Sequence, residues 1–157
     1  MKIEMIKWIH ILSATVLFGT GLGTAYYKWA GDRLTDVVAI AQINRLVVQA
    51  DWIFTTPAIL LQAITGVLLV YVEGHHFWEP WLIISIGLFL FLGACWLPVV
   101  YLQIRMHHLS NHASKRNRQL PTVYYQLTHR WFWLGVPAFT ATIAVFYLMV
   151  AKPLITI

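Results

Sequence analysis

The stretch KWIHILSATVLFGTGLGTAYY, residues 7–27, decides the fold. It is apolar over the length of about 20 residues that a helix needs to cross a bilayer, yet it carries one imidazole, His10, and three glycines, Gly19, Gly21 and Gly23. The apolar character extends over 5–29, and three runs of similar length and composition follow at 52–72, 80–103 and 131–151. With 59% hydrophobic and only 11% charged residues, the chain is balanced for a bilayer rather than for water. The first run is longer than the apolar core of a secretory signal, and further spans follow it, so it reads as a permanent helix. The expectation is an all-α membrane protein: one domain over 1–157, an up-down bundle of four transmembrane helices, with antiparallel neighbours enforced by short connections.

Aromatic residues gather near the run ends (Trp8, Trp29, Trp52, Tyr71, Trp81, Tyr101, Trp131), as amphipathic rings do at a membrane interface. The connections are unequal. EGHHFWE, 73–79, is a tight turn in which Gly74 should end a helix. GDRLTDVVAIAQINRLVVQAD, 31–51, has apolar residues at mixed three and four spacing, which predicts an amphipathic helix lying along the surface before the chain turns into the second span. RMHHLSNHASKRNRQLPTVYYQLTHR, 105–130, is basic, with Leu120, Pro121 and Thr122 marking a helix start, and should carry both flanking helices beyond the membrane.

Eight of the eleven basic residues (Lys28, Arg33, Arg45, Arg105, Lys115, Arg116, Arg118, Arg130) fall on the side of the two long connections, and Lys2, Lys7 and Lys152 on the other. Cytoplasmic loops carry the lysine and arginine excess, so those connections should be cytoplasmic extensions and both termini should lie outside a bacterial inner membrane. Lys2 and Lys7 argue the other way. The net charge of +5 would otherwise suggest nucleic acid, but its placement between apolar runs assigns it to topology, and the expected partner is the lipid bilayer. Cys95 is the only cysteine, so neither an intrachain disulfide nor a cysteine metal cage can form.

His10 lies about one helical turn deeper than Lys7. A polar group at that depth is costly and usually faces the bundle interior. Two readings follow. It is either a neutral histidine hydrogen-bonded to a neighbouring helix, or a ligand to something bound. Ala14, Leu17, Gly21 and Thr24 share its face by helical spacing, with Ser13 at the margin. An imidazole above a strip of small side chains, walled by apolar residues, is what an axial ligand to a flat macrocycle such as haem requires. Gly19 and Gly23 lie on another face, where a small-xxx-small pair predicts close packing by a neighbour helix. Gln62 and Thr65 sit mid-span in the second run and could hydrogen-bond between helices or touch a ligand. Pro57, Pro98 and Pro137 offer kinks. His75 and His76 should be too shallow for ligation, and Met106, His107, His108 and His112 read as a solvated basic helix extension.

The segments KWIHILSATVLFGTGLG (7–23), TPAILLQAITGVLL (56–69) and RWFWLGVPAFTATIAVFYLMVAKP (130–153) resemble a family of predicted bacterial integral membrane proteins, classed as a domain of unknown function. That family in turn resembles the HemJ-type protoporphyrinogen oxidases and the membrane domain of copper-resistance protein D. The resemblance implies that His10 in KWIH occupies the haem-ligand position of the oxidases. Their lysine early in the third span and their Asn-Glu pair before the last-span proline are replaced here by Ser85 and by Leu134 and Gly135. The resemblance thus points to haem binding without protoporphyrinogen oxidation.

The leading expectation is a haem b membrane protein that transfers electrons, with His10 as axial and metal ligand, Ala14, Leu17, Gly21 and Gln62 around the cofactor, and a quinone or a redox protein as partner. A copper-handling protein using His10, His75, His76 and Met5, and a bundle with no cofactor that serves assembly, are the alternatives.

Overall fold

The computed structural model of the chain describes residues 2–152; the side chain of Lys2 and residues 1 and 153–157 lie outside the described part. The described residues form helices α1 (Lys2–Gly31), α2 (Val37–Ala50), α3 (Thr56–Glu73), α4 (Pro80–Lys115) and α5 (Thr122–Ala151), and contain no strand. A π-helical turn, Asp51–Thr55, joins α2 to α3, giving four continuous helical lengths, each long and apolar enough to cross a membrane. At 1.5 Å per residue α4 is about 54 Å long, well beyond a hydrocarbon core of about 30 Å, so it projects past the bilayer as the sequence predicts.

The boundaries follow local chemistry. The Asp36 carboxylate accepts the Val38 amide at 2.8 Å and caps α2. Gly74 closes α3 at φ +72, a conformation open to glycine at little cost. Pro80 opens α4 at its first position, and α5 begins after Pro121, both places where a missing N–H costs nothing.

One expectation is corrected. Segment 31–51 does not lie along the surface and turn in; α2 runs through the π turn into α3 as a single helical length. Pro57 has no amide to give to the preceding turn, and the chain absorbs that by widening rather than breaking: the Thr56 amide reaches back five residues to the Asp51 carbonyl.

In the bundle α1 packs on α3, α4 on α5, and α2 on both α1 and α4. Lys7, Glu73 and Lys152 meet at one end, whereas Lys28, Asn44, Ser110 and Tyr124 meet at the other. The spans therefore alternate in direction, with the ends of α1 and α5 that lie nearest the chain termini on one side. We refer to these as the terminal end and the basic end. The larger core sits at the basic end, around Ile40, Leu102, Met106, Tyr124 and Trp131; a smaller one, Val70, Trp81 and Leu82, closes the terminal end. Between them Leu60, Ile64 and Leu90 stand exposed, as side chains solvated by lipid do.

The glycine expectation is also corrected. A Cβ added at Gly19 or Gly23 would meet nothing within 4 Å, so neither seats a neighbouring helix of this chain. Phe18 stands between α1 and α5 there, its ring 5.5 Å from Phe139 and 5.4 Å from Phe146. The close approach is at Gly31 instead, where a Cβ would lie 2.6 Å from Ile43 Cδ1, and it lets the end of α1 lie against α2.

Candidate functional site

His10 is half-buried against α3, and both of its ring nitrogens are engaged there. Nδ1 lies 2.8 Å from Thr65 Oγ1, and Nε2 lies 3.0 Å from Gln62 Nε2. The direction of each follows from how the neighbouring hydroxyl protons are assigned. The Thr65 hydroxyl donates to the Leu61 carbonyl, so its oxygen is free to accept the His10 Nδ1–H. Ser13 donates to Gln62 Oε1 at 2.6 Å, which turns the amide nitrogen of Gln62 towards the imidazole as a donor. With Ser13 donating to Gln62 and Thr65 to Leu61, Nε2 is the acceptor and His10 the neutral Nδ1–H tautomer, its Nε2 lone pair directed at Gln62.

Helix periodicity builds this arrangement. Gln62, Thr65 and Gly66 present one face of α3 to α1, and a Cβ at Gly66 would sit 3.4 Å from His10 Cε1. Glycine there leaves room for the edge of the ring.

Of the residues singled out from the sequence, the structure brings together His10, Ser13, Gln62 and Thr65 in one hydrogen-bonded group. Ala14 and Leu17 continue the face of α1 as half-buried side chains. Gly21 is exposed, with open space where its side chain would be. As a test of fit to haem, the chemistry of the donor set agrees: a metal-ligating histidine commonly gives its second ring N–H to an oriented acceptor, and Thr65 is that acceptor. The nitrogen that would face a metal, Nε2, is occupied by the Gln62 amide, which Ser13 holds in turn.

His75, in the turn between α3 and α4, is engaged otherwise. His75 Nε2 lies 3.2 Å from Glu73 and 3.2 Å from Lys152 Nζ, and its Nδ1 lies 3.1 Å from Glu79. Lys7 reaches Glu73 at 2.7 Å, so α1, α3 and α5 are tied together by charge at the terminal end. The Glu79 carboxyl is held below the ordinary glutamate range, first by the His76 backbone N–H and then by the Trp81 indole, which donates at 2.7 Å. Among the described residues no three His, Cys, Asp or Glu side chains are grouped to hold a metal ion.

A second polar group lies at the basic end. Lys28 is fully buried. Its ammonium donates to Asp32 at 2.8 and 3.0 Å, lies 3.3 Å from the Tyr124 hydroxyl, and stands 5.5 Å from the centre of the Trp131 ring. Tyr124 donates to Asp32 and accepts from Asn44 at 2.7 Å, while Asn44 also reaches Ser110 at 3.1 Å. Four helical segments converge on this cluster. Read as sequence, Lys28 is one more loop cation setting topology. The available signal was the i,i+4 pairing of Lys28 with Asp32, together with an asparagine on the apolar face of α2.

Residues 4–153 match the family described as "Predicted integral membrane protein (DUF2269)", and the chain belongs to that family. No curated protein and no solved structure matches it.

Proposed function

We propose that the protein binds haem b through His10 as axial ligand and passes electrons within a bacterial inner membrane, with the basic end cytoplasmic and a quinone or a redox protein as partner. The observation that carries this reading is the seating of the half-buried His10 ring: Nδ1 lies on Thr65 Oγ1, an acceptor for its N–H, and Nε2 faces the end of the Gln62 side chain. Bound there, haem supplies one-electron redox chemistry. The rest falls to the chain. Thr65 would hold the ring orientation, Gln62 would have to leave Nε2, and Ala14 and Leu17 with the open space at Gly21 would provide a narrow apolar wall. Ser85 spends its hydroxyl on the Trp81 carbonyl at 2.7 Å, and Leu134 and Gly135 are apolar, so the reading is haem binding without protoporphyrinogen oxidation.

The test is the absorption spectrum of protein produced with ample haem, oxidised and reduced. A Soret band is expected, with His10→Ala losing it or moving it to high spin while the protein still inserts. Absence of the band from the wild-type protein overturns the proposal. It would favour the second reading, a cofactor-free bundle in which His10 is a structural link between α1 and α3; in support of that reading, both ring nitrogens are already hydrogen-bonded within the chain.

A further inference from the structure

At the basic end, between the end of α1 and the first half of α5, lies an open cleft of about 440 Å³ lined by Trp29, Asp32, Arg33, Thr128, His129 and Trp131, among others. We propose that this cleft binds the headgroup of an anionic phospholipid, independently of whether His10 holds haem.

Charge comes first. Asp32 would repel an anion, but Lys28, Tyr124 and Thr128 all donate to its two oxygens, so its charge is already balanced. That leaves the Arg33 guanidinium as the uncompensated charge of the wall. It stacks 3.5 Å above the centre of the Trp29 ring and gives one hydrogen bond, at 2.8 Å, to the Trp29 carbonyl. Its remaining N–H groups are available, and a planar guanidinium held against an aromatic face is preorganised for a phosphate. The second observation is Trp131. It lines the cleft, its Nε1–H is buried, and that N–H has no acceptor among the described residues. A buried donor without a partner is costly unless something outside the chain accepts from it. Phosphate and glycerol oxygens of a headgroup are such acceptors.

Depth decides which phosphate. The cleft opens where the apolar run of α1 ends and where Trp29 and Trp131 mark the interface, at headgroup level. Phe132 continues its wall with an exposed apolar ring that acyl chains can cover. Basic pockets between transmembrane helices at this level recognise anionic headgroups. A soluble phosphate would gain the charge contacts without the apolar wall.

Purified protein in detergent, titrated with phosphatidylglycerol, phosphatidylcholine or inorganic phosphate and followed by native mass spectrometry, tests this. Phosphatidylglycerol should be retained over phosphatidylcholine. Arg33→Gln, at an exposed position outside the core, should weaken its retention about fivefold, the change expected for one basic side chain near a membrane surface. Trp131→Phe, which removes the N–H and keeps a ring, should weaken it as well, whereas Arg105→Gln, an exposed charge elsewhere at the same end, should not. Equal retention of the two lipids, equal loss from Arg33→Gln and Arg105→Gln, or displacement of phosphatidylglycerol by inorganic phosphate would each overturn the proposal. The last would show a site for a soluble anion.

Discussion

Removing the Asp32 carboxylate by Asp32→Ala should be far more damaging than its place at the end of a helix suggests. Lys28 is 0% exposed and Asp32 11%, and the carboxylate accepts both hydrogen bonds that the Lys28 ammonium gives to a charged partner. Without it the ammonium keeps only the Tyr124 hydroxyl at 3.3 Å and the faces of Tyr124 and Trp131. Cutting one partner from a buried ion pair costs about 3–5 kcal/mol, because a desolvated charge is left behind. The two cation–π contacts are present in the wild-type protein as well, so they do not offset that loss. The net loss should be about 3–5 kcal/mol. Lys28→Met removes the buried charge and keeps the volume, leaving Asp32 with Tyr124 and Thr128 as donors at the edge of the core, so it should cost less. The double change Lys28→Met with Asp32→Ala should cost less than Asp32→Ala alone, since no charge is then stranded. Equilibrium unfolding in mixed detergent micelles measures all three, and the double-mutant cycle isolates the coupling. Additive losses, or an Asp32→Ala protein within about 0.5 kcal/mol of wild type, would refute the reasoning and show that water reaches the ammonium.

Three further outcomes are expected. Cysteine introduced by Asn117→Cys should be reached by a membrane-impermeant reagent only from the cytoplasmic face, and Glu79→Cys only from outside; the reverse pattern would invert the orientation assigned from the lysine and arginine count. The Trp81 indole N–H resonance should titrate with Glu79 at a midpoint below the ordinary glutamate value, because the His76 amide and that indole favour the carboxylate. The folded-state value is depressed, so the stabilisation of the turn is present above the unfolded glutamate value and lost as pH falls through the folded one; a midpoint at or above the ordinary value would contradict this. Gly21→Leu and Gly23→Leu should both insert, since each side chain enters open space, but only Gly21→Leu should reduce haem retention, and equal retention would remove Gly21 from the site.

The spans, their order and their caps were legible because each depends on residues close in sequence. Apolar run length predicts the helices, Gly74 and Pro121 mark their ends, and the structure agrees at each. The path of 31–51 was not legible, because the same periodicity serves a helix on a membrane surface and one standing in a bundle. What separates the two is the turn at Asp51–Thr55, where Pro57 withholds an amide and the chain answers with a wider turn instead of a break. The glycines failed differently. Gly19 and Gly23 have the spacing of a packing motif, but packing needs a partner face, and the bulk of Phe18 one residue before Gly19 already fills the approach to α5.

The polar groups show most clearly where a sequence stops. His10, Gln62 and Thr65 could each be seen as out of place in a span, and a buried polar group must find partners. Which partners is a matter of helix rotation and depth: 52 and 55 residues separate His10 from the two side chains that hold its ring. Lys28 carried no such warning, since a lysine near the end of a span usually reaches for the headgroups. Here Asp32 lies one turn further on, and Tyr124 and Asn44 arrive from other helices to close over the pair, so the cation turns inward. The two networks sit at different depths and have different consequences. At the basic end Lys28, Asp32, Tyr124, Asn44 and Ser110 are hydrogen-bonded in one network, which locks four helical segments to one another. At His10 the ring is held between Thr65 and Gln62, which joins α1 to α3. On the proposed reading, a ligand at Nε2 would displace the Gln62 amide and leave the Thr65 bond in place, whereas a ligand among the basic-end groups would have to break the Lys28–Asp32 pair.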